Sequence, residues 1–171
     1  YNASDINSYD SSVGAAVNDL SAAGTNDGVL TAGATSTTAT YDTAKGAWVF
    51  PGGTEANSPF INVGSSISTT SMSDFGFTVD FEATFGAVAN NWEGVLDFQD
   101  TSGPKNGFLI SRQASSNTLT FQIVREGASQ GYCSVDNAIP TTDTVIRRWT
   151  ITADGTSCKI YKDGVAQTVS F

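Results

Sequence analysis

A chain of 171 residues, 39% hydrophobic and 11% aromatic, has enough apolar material for a packed domain, which argues against global disorder. Its formal net charge of −9, with eight basic residues and no histidine, lacks the footprint that nucleic acid or an anionic membrane surface demands. The missing histidine also removes Ser–His or Cys–His catalysis and weighs against zinc, and the longest apolar runs are too short for membrane insertion.

In chain order, the first periodic stretch is Ser11 to Gly24. Val13, Ala16, Val17 and Leu20 have helical spacing and Gly24 would end a short helix, though Gly14 opposes one. The Ser/Thr/Gly/Ala-rich stretch 32–40 reads as a connection. After it come the apolar run Ala47–Phe50, closed by Pro51-Gly52-Gly53, and the short strand "SPFINVG". "FGFTVDFEATFG" is the clearest strand. Phe75, Phe77, Val79, Phe81, Ala83 and Phe85 alternate with Gly76, Thr78, Asp80, Glu82 and Thr84, so one face is buried.

"EGVLDFQD", "GFLISRQ", "NTLTFQIVRE", "GYCSVDNAI", "RRWTITAD" and "SCKIYKDG" continue the series. Turn signals at Asn90-Asn91, Ser102-Gly103-Pro104, Ser115-Ser116-Asn117, Asp154-Gly155 and Asp163-Gly164 separate them. Ser and Thr supply about a quarter of the chain, which suits polar sheet faces. The expectation is an all-β, antiparallel two-sheet sandwich with little helix, and Trp48 and Trp149 in its interior.

The ordered set "NDGVLTAG", "AWVFPGG", "FINVG", "FGFTVDFEATF", "NWEGVLDF", "GFLIS", "LTFQI" and "RRWTITADGTSCKIYKDGV" resembles the laminin G-like, or concanavalin A-like, jelly roll. The likeness runs from about Val17 to Val165. It implies a jelly-roll domain over 17–171, with 1–16 as an extension or an edge-filling strand. Two details depart from the family. Arg147-Arg148 stand where it often has His or another polar residue, and "AQTVSF" is short for a final strand. An open sheet edge beside Tyr161 is therefore expected, to be filled by the N-terminal stretch, a neighbouring chain or further residues.

The resemblance implies an extracellular, cell-surface or virion-surface recognition or adhesion module, lectin-like and without a catalytic centre, with a glycan or surface protein as partner. A structural subunit of a surface assembly is the alternative, and a glycoside hydrolase the third reading. For sugar binding, Trp92 would be the platform, with Asn90, Asn91 and Glu93 beside it and Tyr132 and Gln130 in a nearby loop; the competing role for Trp92 is core packing. The resemblance also implies Ca²⁺ at rim loops, held by Asp97, Asp100 and Asn106, or by Glu93 with Asn90 and Asn91. Against that stands plain loop solvation.

Asp80 and Glu82 share the face opposite the Phe stripe. Two carboxylates could serve glycoside hydrolysis, but Thr78 and Thr84 occupy the places of the third acid that the family's glucanases carry. Cys133 and Cys158 read as one disulfide or as two inert buried thiols, with the disulfide favoured. Asn2-Ala3-Ser4 is a glycosylation sequon at Asn2.

Overall fold

The computed structural model describes residues 16–17, 27–33, 38–51, 59–62, 76–86, 92–99, 107–113, 117–140, 144–154 and 156–171. These residues form an all-β protein with several antiparallel sheets and no helix among them. Two compact units divide the chain, Tyr1–Ser68 and Thr69–Phe171. Their boundary lies within the span 17–171 that the resemblance treats as one domain.

The first unit holds β1 (Ala16–Val17), β2 (Gly28–Thr31), β3 (Thr40–Asp42), β4 (Ala47–Val49) and β5 (Phe60–Asn62). β1, β2 and β5 pair in that order, and β3 and β4 form a separate hairpin. The helical spacing around Val17 is not realised. Ala16 and Val17 pair with Val29 and Gly28 as a strand, so tertiary pairing overrides a weak local preference already opposed by Gly14. The rest of 11–24 lies outside the described residues. In the hairpin, Asp42 accepts bonds from the Ala44 and Lys45 amides, and Trp48 packs edge-to-face on Tyr41 at 5.5 Å. Trp48 is thus half-buried rather than interior.

The second unit holds β6 (Phe77–Ala83), β7 (Trp92–Gln99), β8 (Gly107–Gln113), β9 (Thr118–Arg125), β10 (Ala128–Val135), β11 (Arg147–Ala153), β12 (Cys158–Lys162) and β13 (Val165–Ala166). One four-stranded sheet has the order β10-β9-β8-β7, a plain meander. The other has the order β13-β12-β11-β6, with β11 joining β6 to the closing hairpin. The inward faces of both sheets meet in one core. Ile110, Leu119, Ile151 and Ile160 are fully buried, and Trp149 is 1% exposed. Phe121 is buried too, while Phe77 and Phe81 are half-buried and packed against the cluster. Phe108 stacks on Phe77 and Phe98 with ring centroids 4.8 and 4.9 Å apart, a geometry that adds to area burial.

Two glycines permit close backbone approach. At Gly107, φ is +138° and a Cβ would stand 1.8 Å from the Phe98 carbonyl oxygen; at Gly76, φ is +75° and it would stand 2.4 Å from that of Ala153. Two-residue turns join β9 to β10 through Glu126-Gly127 and β12 to β13 through Asp163-Gly164, each with positive φ at both positions. That is the geometry matching strand twist. The Asp163-Gly164 turn was legible as Asp-Gly; the Glu126-Gly127 turn was not among the expected signals. At Asp154 the reversal is longer, spanning Asp154 to Ser157 between the paired Ala153 and Cys158.

The edge beside Tyr161 is not open. Val165–Ala166 pair with Tyr161–Lys162, and the tail runs on so that Ser170 exchanges both backbone bonds with Ser134 on β10. The short "AQTVSF" segment thereby ties both sheets together. Among the described residues, no strand pairs with the far edge of β6, nor with those of β7 and β13.

Candidate functional site

Of the residues expected to bind sugar, only Glu93 and Tyr132 have described side chains, and those two do not come together. Trp92 opens β7 opposite Gln113, but its side chain, like that of Gln130 on β10, lies outside the described residues, as do Asn90 and Asn91. Glu93 and Tyr132 are described. They stand on β7 and β10, opposite edges of one sheet and at least about 14 Å apart by strand spacing.

They also face opposite ways. Tyr132, 54% exposed, pairs with Gln122 on the outer face. Glu93 pairs with the wholly buried Arg112, whose parity is that of Phe108 and Ile110, and the two side chains form an ion pair. Arg112 also donates twice to the Gly86 carbonyl at 3.0 Å and lies over the Phe85 ring at 5.1 Å. Glu93 therefore neutralises a buried guanidinium.

Of the expected calcium ligands, Asp97 is exposed on β7 opposite Leu109; Asp100 and Asn106, like the sequon Asn2, lie outside the described residues. Among the described residues no three acidic or sulfur side chains cluster as a metal site.

The outer face of the β13-β12-β11-β6 sheet is the more organised surface. β6 contributes Thr78, Asp80 and Glu82; β11 contributes Arg148, Thr150 and Thr152; β12 contributes Lys159 and Tyr161. All stand in register across the ladder. Arg148 faces Glu82 but reaches diagonally to Asp80, donating from Nε at 3.0 Å to each oxygen and also from Nη2. Thr150 Oγ1 donates to the same carboxylate at 3.0 Å. The hydrogen bonds from Arg148, then that from Thr150, hold the Asp80 carboxyl below the usual range.

At the closing turn, Asp163 accepts from the Arg148 amide at 3.0 Å and from Arg147 Nη1 at 3.2 Å. Arg147 and Arg148 thus brace two carboxylates. Asp154 accepts from the amides and hydroxyls of Thr156 and Ser157, which lower its pKa strongly.

Beside this brace is an open hollow of about 460 Å³. Thr78, Thr152, Lys159, Tyr161, Asp154 and Ser157 line it, together with Gly76, Phe77 and Ala153. Tyr161 is half-buried and Lys159 is exposed. With Asp154 committed to its own turn, Lys159 Nζ, the threonine hydroxyls and the Tyr161 ring and phenol remain for a ligand. The alternation in "SCKIYK" places Lys159 and Tyr161 on one face, and "FTVDF" does so for Thr78 and Asp80. What the sequence does not carry is the pairing of β6 with β11 that assembles them.

Cys133 and Cys158, on different sheets, are free thiols buried in the same core cluster. Compared with protein-family models, curated proteins and solved structures, the chain matches none.

Proposed function

We propose that this chain is a non-catalytic extracellular recognition module of laminin G-like jelly-roll type, binding carbohydrate in the hollow on the outer face of the β6-β11-β12 sheet. The observation that carries the reading is the placing of Tyr161 among Thr78, Thr152, Ser157 and Lys159. A half-buried aromatic ring offers a sugar an apolar face to stack on, and the surrounding donors and acceptors match its hydroxyls. Surface hydroxyls and one ammonium, rather than a basic tract, fit a neutral or weakly acidic glycan. The non-catalytic part rests on Asp80. A glycosidase acid needs a raised pKa, whereas Arg148 drives Asp80 the other way.

The test is a glycan-array screen, with and without chelator, of the native chain and of Tyr161→Ala. Binding that disappears in Tyr161→Ala while the melting temperature stays put supports the reading. Binding kept by Tyr161→Ala but lost in Trp92→Ala returns the site to the β6–β7 loop, and no binding at all overturns the carbohydrate reading. A chelator-sensitive signal assigns Ca²⁺ a role.

A structural subunit of a surface assembly is the second reading. It is favoured by the far edge of β6, with which no described strand pairs. Self-association at micromolar concentration, removed by a proline within Thr78–Glu82, would support it.

A further inference from the structure

We propose that Cys133 and Cys158 form a disulfide that joins the two sheets of the second unit beneath the hollow. Cys133 lies on β10, at the edge of one sheet, and Cys158 opens β12 in the other. They are 2% and 9% exposed and belong to the same buried cluster between the sheets. Residues of the two strands approach within 8 Å, Cα to Cα, and a cystine needs its two Cα atoms about 4.4–6.8 Å apart.

The surroundings are already built as a seam. Ser134, next to Cys133, exchanges two backbone bonds with Ser170. Lys162, on the strand of Cys158, donates to the Ala138 carbonyl at 2.8 Å. A covalent bond between the sulfurs would close the loop these contacts hold noncovalently. It would also fix the start of β12, whose outward residue Lys159 and preceding Ser157 line the hollow. The inference stands on the shared burial of the two thiols and the approach of their strands, and does not depend on the carbohydrate reading.

The chemistry is thiol–disulfide exchange with a low-molecular-weight disulfide, such as oxidised glutathione. One cysteine loses its proton, and its thiolate attacks the small disulfide, expelling one thiol. The second thiolate attacks the protein sulfur of the mixed disulfide and expels the other. Two protein thiols and one small disulfide give one cystine and two small thiols. In the folded chain, contact with Cys133 and burial push the Cys158 thiol up. The exchange therefore belongs to folding, before the core shuts over the sulfurs.

The experiment refolds the reduced full chain in a glutathione redox buffer, quenches with a maleimide, and reads intact mass, a non-reducing peptide map and thermal melts. Expected are a monomer about 2 Da lighter than the reduced chain with no maleimide adduct, and a peptide linking Cys133 to Cys158. Reduction should lower the melting temperature by about 10 °C, and the Cys133→Ala/Cys158→Ala double variant should melt alike with and without reductant. Two adducts on the refolded monomer, disulfide-linked dimers only, or a native melt indifferent to reductant would each overturn the proposal.

Discussion

Glu93 and Arg112 face each other across β7 and β8 and form an ion pair on the inward side of the sheet, although Arg112 is wholly buried. Strict alternation from Leu96 and Phe98 would have sent Glu93 outward with Asp97. A bulge between Gly94 and Leu96 adds one residue and reverses the parity, so Glu93 turns in. The lone buried guanidinium is what its carboxylate compensates.

Removing that compensation destabilises the chain. Glu93→Gln is expected to lower unfolding stability by about 1–3 kcal/mol, the pair being partly open to water on the Glu93 side. Urea titration reads it directly. Glu93→Gln/Arg112→Met should cost less than the two single changes added together, because the double variant leaves no uncompensated charge. Glycan binding should be unchanged in Glu93→Gln.

Acid sensitivity follows from the braced carboxylates. The carboxyls of Asp80 and Asp154 are held low in the fold, by Arg148 then Thr150, and by Thr156 then Ser157. The unfolded chain binds protons there first. Their contribution is therefore complete above the ordinary carboxylate value of 3.8 and is lost as pH falls through it toward the folded values. Urea midpoints should be flat with respect to these two groups from pH 7 to about 4 and then fall. In Asp154→Asn the acid limb should be shallower.

Gly107 and Gly127 both have positive φ, but only Gly107 is sterically enclosed. Its Cβ would meet the Phe98 carbonyl oxygen, whereas nothing lies within 4 Å at Gly127. Gly107→Ala is expected to cost about 3 kcal/mol or more, and Gly127→Ala about 1 kcal/mol. Equal losses in thermal or urea unfolding would contradict this ordering.

The tail should matter beyond its size. Gln167 donates its amide to Ile160, Val169 packs on the core, and Ser170 bonds Ser134. Deleting 167–171 is expected to cost about 2–4 kcal/mol. Native-state hydrogen exchange should show the Ser134 amide losing protection while that of Leu119, in a central strand, is affected only through global stability.

Strand content was plain in the residues. The alternation at Phe77, Val79 and Phe81, the interior role of Trp149, and the Asp163-Gly164 turn all reappear in the structure, since each depends on chain geometry over a few residues. The candidate site was much less legible. The clustering of Glu93 with Tyr132 rested on polar and aromatic composition, and composition does not record which edge of a sheet a strand takes. The free edge next to Tyr161 was expected because the last segment is short, yet two residues were enough to pair there and one more to reach β10.

By itself, the sequence determined that the chain is built of strands and which of their side chains avoid water, because a pleated backbone turns each residue against the next. Only the tertiary structure decided the neighbours. The β6–β11 and β11–β12 pairings line up Thr78 with Thr152 and Lys159, a single bulge sends Glu93 to a buried arginine, and sheet-on-sheet packing brings Cys133 and Cys158 into one core. Those juxtapositions arise from hydrogen-bonded register and burial between distant segments, which no local pattern encodes.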